Sequence, residues 1–284
     1  MSISLQAIRE NFGGKIEGVH LPELSSGELQ ELKNLLYQYK FLLIKGQTMT
    51  PREYIQFAKT LGDPIPFVDA NYRHPEFPEI FVVSNVKQDG KKIGMDRVGY
   101  YWHSDSSFLK TPLPITMLFA QQVPNEGGET AFIDMQAVYQ SLPQELKETL
   151  AKKVARHEGQ WRYIITEEDV GFSIQEILER DRQAVPPVYH PAVTTHPITK
   201  QPILYLNEGF TTKILDLGDE EGSKILEDLF MRIRSSNSLY VHHWEPGDIV
   251  FWDNRSTVHK AAPAQPGQPR MLFRIGIQDG PFYL

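Results

Sequence analysis

The chain contains no cysteine. That absence excludes disulfides, cysteine-held iron–sulfur clusters and thiolate zinc sites. Long apolar runs are missing too. None approaches the roughly 20 residues of a membrane span, and the N-terminal stretch lacks the apolar core of a signal peptide. A cytoplasmic protein without membrane contact is expected. Positive charge is not in excess: 36 Asp and Glu stand against 29 Lys and Arg, a net charge of −7, so nucleic-acid binding is not indicated. No Gly-x-Gly-x-x-Gly, phosphate-loop or Gly-x-Ser-x-Gly pattern occurs, which leaves nucleotide cradles and serine-hydrolase elbows without support. No internal repeat or low-complexity tract stands out.

What is present suits a folded domain. The 284 residues are 40% hydrophobic and 23% charged, enough for a sizeable core. Ser25 and Glu28 form a capping-box pair, followed by Leu29, Leu32, Leu35 and Leu36 at helical spacing. Thr50-Pro51-Arg52-Glu53 starts a second helix, which should end near Leu61-Gly62. Asp134 and Ser141 can each cap helical pieces, and residues 219–235 carry an amphipathic helical pattern. Short apolar runs at 41–44, 80–83, 115–120, 203–206, 249–252 and 271–277 read as strands. Together these predict an α+β protein with a double-stranded β-helix, or jelly-roll, core and flanking helices. A single domain over 1–284, with a helical insert around 135–190, is expected.

The chemistry concentrates in Trp102-His103-Ser104-Asp105 and, far downstream, His259. In an extended strand, residues two apart point to one face, so His103 and Asp105 can reach the same metal. Two imidazoles and a carboxylate are the ligand set that holds non-haem Fe(II) on one face and leaves the other positions open. A lone His-x-Asp occurs often by chance. Here it is joined by Trp252-Asp253-Asn254-Arg255, His259, Arg270 and Arg274. The two arginines are four apart, so a strand places both on one face, and a guanidinium suits a carboxylate. Two anionic ligands, or one ligand and one structural partner, would satisfy them. Against this, His242-His243 cannot easily share an ion, because adjacent strand residues face opposite ways. His190 and His196, beside prolines, read as structural.

The chain resembles the taurine dioxygenase / 2,4-dichlorophenoxyacetate dioxygenase (TauD/TfdA) family of Fe(II)- and 2-oxoglutarate-dependent oxygenases. The resemblance rests on Trp102 to Phe108, Gly127-Gly128-Glu129-Thr130 with Phe132 and Asp134, Thr195-His196-Pro197, Asn207 to Thr212, Trp252 to Arg255, and the spaced His259, Arg270 and Arg274. It implies that His103, Asp105 and His259 bind iron. It implies that Arg270 clamps the distal carboxylate of 2-oxoglutarate, with a hydrogen bond from Thr130. It implies oxidation of a C–H bond of a small substrate by molecular oxygen, releasing succinate and carbon dioxide. The carboxylate Asp105 argues against halogenation, since related halogenases carry a small residue there.

For the substrate, the resemblance makes Arg274 an anchor for a carboxylate or sulfonate, and Tyr72, Ser106, Tyr163 and Phe210 candidate pocket residues. A taurine assignment is weakened at Phe67 to Tyr72, where no sulfonate-binding His occurs, and at Gly99-Tyr100-Tyr101. Those tyrosines, with Tyr72, are similar to relatives that form or further oxidise amino-acid-derived isonitriles. A non-catalytic jelly-roll binding module and a zinc-dependent hydrolase are the rival classes. The second would leave Arg270 and Thr130 without a role. A homo-oligomer is compatible with all of these.

Overall fold

The computed structural model describes residues 3–67, 69–88, 90–159, 165 and 169–284. Its core is two facing β-sheets, the jelly roll that the strand pattern predicts. The larger sheet has eight strands. In order they are Leu5–Arg9, Phe12–Ile16, Phe41–Ile44, Ile249–Asp253, Ile115–Gln122 and Met271–Gln278, with Asp63–Ile65 and Phe81–Ser84 sharing the far edge of the last. The pairs are antiparallel, except for Phe12–Ile16 beside Phe41–Ile44. The smaller sheet is Tyr240–His242, Thr130–Asp134 and Thr257–Ala261.

Alternation along the strands decides what faces what. On the larger sheet Leu42, Ile44, Ile115, Met117, Phe119, Ile249, Phe251, Ile275 and Ile277 face outward and pack with Leu32, Leu36, Tyr54, Phe57 and Leu61. Those five belong to the helices Ser26–Tyr39 and Pro51–Leu61, which start at the predicted Ser25–Glu28 and Thr50–Glu53 capping boxes. The other parity, Phe41, Leu43, Leu118, Ala120, Val250, Trp252 and Leu272, points between the sheets and meets Phe132 and Trp244. Each of the larger side chains contributes about 2 kcal/mol by leaving water. In the smaller sheet Ile133 pairs with Val258, and both pack outward with the helices Met135–Ser141 and Asp219–Arg234. Their neighbours Phe132 and His259 are also register partners, on the inward face.

Three local expectations need correction. Ser141 does not cap a helix start. It ends Met135–Ser141, its hydroxyl donates to the Val138 carbonyl, and Gln144–Leu150 begins after Pro143 without a side-chain cap. The strand expected at 203–206 is Pro202–Leu204, because Tyr205 and Leu206 leave the ladder. The segment 135–190 contains strands as well as helices: Val154–His157 pairs with Val188–Pro191 and with Thr211–Ile214.

Candidate metal centre and its surroundings

His103, Asp105 and His259 converge, and each offers a ligand atom within 4.8 Å of the others. His103 is held by the backbone of His259. The two residues form an isolated antiparallel bridge, with N–H to O distances of 3.0 and 2.8 Å, which lays their rings 4.1 Å apart. Asp105 reaches the site differently from the extended strand predicted. It opens a turn over 105–108, in which Ser106 takes the left-handed conformation at φ 57°. The turn brings Asp105 Oδ1 to 3.7 Å from His103 Nε2 and its Oδ2 to 3.9 Å from His259 Nε2. Gly99, at φ 71°, passes so close that a Cβ there would lie 2.7 Å from His103 Cε1.

The protonation states suit a cation. Burial pushes the imidazoles of both His103 and His259 down from their ordinary value, His259 strongly, so both are neutral at physiological pH. The Nδ1–H of His103 faces the Tyr101 carbonyl at 2.8 Å, which leaves Nε2 as a lone-pair donor. Burial alone would raise the Asp105 carboxyl. The Arg274 guanidinium and the Thr116 hydroxyl overcome it and hold the group well below the usual carboxylate range. Two neutral nitrogen donors and one carboxylate on one side of a buried space fit Fe(II) with open positions opposite. Among the described residues, no other cluster of three such groups could hold a metal.

Beside the triad stands a buried cation. Arg270 donates from Nε to the Gly128 carbonyl at 3.1 Å, and among the described residues no carboxylate lies within salt-bridge distance of it. Burial pushes its guanidinium down to about 10, still charged at neutral pH. It lines a small recess with Ser84, Asn85, Asp96 and Tyr100. Gly128 leads into Thr130, whose Oγ1 accepts from Trp244 Nε1 at 3.0 Å. With that lone pair used, the Thr130 hydroxyl hydrogen can donate to an anion.

Of the proposed substrate residues, Arg274 and Phe210 reach the triad. Arg274 lies 3.0 Å from Asp105 Oδ2 and above the Phe81 ring, its register partner, at 5.8 Å. Phe210 packs on Phe108 at 4.6 Å, on Tyr101 at 5.7 Å and on His103 at 6.1 Å. Ser106 follows Asp105 in the turn, and its carbonyl accepts from Leu109 N. Tyr72 closes the short turn Ala70–Tyr72 in a loop whose Phe67 stacks on Phe81 at 4.0 Å. Tyr163 lies outside the described residues. Of the histidines read as bland, His242 is buried against Asp248 at 3.1 Å while His243 is exposed, on opposite faces as expected. His196 pairs with buried Asp253 at 2.9 Å, and His190 with Tyr283 and the Leu109 carbonyl.

No motif gives a role to Thr116 and Asn254, which hydrogen-bond to Asp105, or to Trp252, which donates to Asn254. Thr116 had a signal, being the lone hydroxyl within the apolar run 115–120. Asn254 and Trp252 stood in a quoted motif without a function. Phe108 closed the Trp102 to Phe108 motif without a function and Phe81 gave no signal, because an aromatic wall is assembled only by the fold.

The family model described as taurine catabolism dioxygenase TauD, TfdA family matches residues 4–275. An α-ketoglutarate-dependent 2,4-dichlorophenoxyacetate dioxygenase of Cupriavidus pinatubonensis is 32% identical, over 98% of this chain and 99% of that protein. Pentalenolactone F synthase of Streptomyces arenae is 31% identical, over 95% and 91%. The crystal structure of AAD-2 in complex with Mn(II) and N-oxalylglycine superposes with a TM-score of 0.79 at 28% identity, over 99% of this chain and 100% of that one. The jelly roll and its buried triad therefore define an α-ketoglutarate (2-oxoglutarate)- and iron-dependent dioxygenase. Within that class, this chain belongs to the TauD/TfdA family.

Proposed function

We propose that the enzyme oxidises a C–H bond of a small molecule carrying one anionic head, a carboxylate or sulfonate, on an apolar body. The observation that carries this is Arg274. Its guanidinium stands beside Asp105 and over Phe81, on which Phe67 stacks, while Tyr101, Phe108 and Phe210 cluster beside His103 across the triad's own residues. A planar cation in such a place favours a ligand with two acceptor oxygens, and the rings favour a flat or aliphatic remainder. Relatives named for 2,4-dichlorophenoxyacetate and (S)-phenoxypropionate support the carboxylate form.

In this reading His103, Asp105 and His259 hold iron(II). Arg270 pairs with the distal carboxylate of 2-oxoglutarate while Thr130 donates its hydroxyl hydrogen. Arg274 orients the substrate head, the Ser106 backbone and Tyr72 border it, and Phe210 and Tyr163 line its body. Bound iron(II) and 2-oxoglutarate supply the oxidising chemistry, consuming oxygen and releasing succinate and carbon dioxide. The chain over 1–284 works as one catalytic domain, and a reducing cytoplasm suits its ferrous metal. Among the described residues no helix is long and apolar enough to cross a membrane.

The test has two stages. Fe(II) and 2-oxoglutarate without oxygen should give a visible absorption band, which His103→Ala abolishes. Oxygen is then admitted, and succinate release is measured with matched small carboxylates, sulfonates and neutral analogues. Equal stimulation by the neutral analogues would refute the anionic-head assignment.

A further inference from the structure

Behind Asp105 lies a chain of hydrogen bonds whose direction is fixed at every link. Trp252 Nε1 donates to Asn254 Oδ1 at 2.9 Å. An indole N–H can only donate, so the Asn254 amide must present its oxygen to Trp252 and its NH₂ elsewhere. That NH₂ donates to Thr116 Oγ1 at 2.8 Å. With its lone pair engaged there, Thr116 turns its single hydrogen to Asp105 Oδ2, at 2.5 Å. The same Oδ2 also accepts from Arg274 at 3.0 Å. Trp252, Asn254 and Thr116 are all essentially sealed from solvent, so water cannot substitute for a lost link.

The consequence falls on the two oxygens of Asp105. A carboxylate oxygen offers about two lone-pair directions. On Oδ2 both are taken, by Thr116 and by Arg274. Oδ1, which faces His103 Nε2 at 3.7 Å, keeps its lone pairs. Asn254 holds the backbone of the same turn as well: its Oδ1 accepts from Asp105 N at 3.3 Å, and its carbonyl accepts from Ser104 Oγ at 2.8 Å.

We propose that Thr116 and Asn254 are positioning residues: together with Trp252 and Arg274 they reserve Oδ2 of Asp105, so that this ligand meets the metal through Oδ1 alone. A ligand of one oxygen leaves one more coordination position open than a two-oxygen grip would, and the open positions are where oxygen and 2-oxoglutarate must enter. The inference rests on the assignment of His103, Asp105 and His259 as the metal seat.

Mn(II), which does not turn over, tests it directly. Affinity is measured by the electron paramagnetic resonance signal of free Mn(II) for the parent protein, Thr116→Val, Thr116→Ala, Thr116→Ser and Asp105→Ala. The Val and Ala variants should weaken binding about ten- to a hundredfold, the usual effect of losing a partner behind a metal ligand. They should also shift the visible band of the anaerobic Fe(II)–2-oxoglutarate complex. Thr116→Ser, which keeps the hydroxyl, should restore both. Thermal melting of the metal-free proteins identifies any variant that has not folded. Parent-like affinity and band in a folded Val or Ala variant would overturn the proposal, as would a loss in Thr116→Ser as large as in Thr116→Val. Parent-like affinity in Asp105→Ala would instead sink the metal seat itself.

Discussion

Arg274 donates to the carboxylate of Asp105 across 3.0 Å, so the proposed substrate anchor also touches a proposed metal ligand. The pair is nearly buried, with side-chain exposures of 13% and 12%. Screening by water is therefore weak, and what binds one partner is felt by the other.

Arg274→Gln should separate substrate use from co-substrate use. Loss of one charge-assisted contact costs about 1.5–3 kcal/mol. The expected result is roughly a ten- to hundredfold fall in substrate-stimulated succinate release, larger than the accompanying change in the 2-oxoglutarate requirement. Arg274→Lys should not rescue it, because a point charge cannot serve Asp105 and a two-oxygen head together. Steady-state kinetics in both concentrations reads this out. A rise confined to the 2-oxoglutarate KM would show that the anchor is misplaced.

Arg270→Ala should do the reverse. Its guanidinium is the buried cation held by Gly128, and among the described residues no carboxylate neutralises it. Removing it should raise the 2-oxoglutarate concentration needed for the anaerobic band by tenfold or more. Mn(II) affinity, measured without 2-oxoglutarate, should stay near that of the parent.

Acid sensitivity should trace to His157. Its ring is fully buried with neither nitrogen partnered among the described residues, and burial pushes it down to about 3. Between its ordinary 6.5 and that value, the unfolded chain binds a proton that the folded one refuses. Stability therefore falls as pH drops below about 6.5, by about 2 kcal/mol at pH 5 from this group. His157→Phe removes the term. Its melting temperature relative to the parent should climb as pH is lowered from about 8 to 5, and a pH-independent gap would contradict this.

Arg255→Ala should be the costliest of these changes. The side chain is 2% exposed and pairs with Asp253 and Asp279, while also donating to the carbonyls of Pro281 and Phe282. Its loss takes the guanidinium from two buried carboxylates and leaves them to hydroxyl and imidazole partners, at a cost of about 3–5 kcal/mol. Melting should drop steeply, and hydrogen exchange should rise at residues 279–284.

The sequence pointed to the three residues that converge more fully than to their setting. Parity along Met271–Gln278 was readable, because alternation is local, whereas the strand Thr257–Ala261 that carries His259 was not among the expected runs. The turn at Asp105 was not readable either, since it hinges on Ser106 adopting φ 57°, which no spacing rule announces. Thr116 and Asn254 lie 138 positions apart and meet only through the pairing of Ile115–Gln122 with Ile249–Asp253. Partners that distant are joined by tertiary structure, not by a motif.

The mutual backbone bridge of His103 and His259 has a last consequence. Two of the proposed iron ligands are spaced by main-chain geometry, whereas the rings of Tyr101, Phe108 and Phe210 line the wall beside His103 through their side chains. Exchanging those rings for others reshapes the chamber without moving the anvil on which the chemistry is struck. New substrates are therefore within reach of a few substitutions, and engineering should begin at that wall.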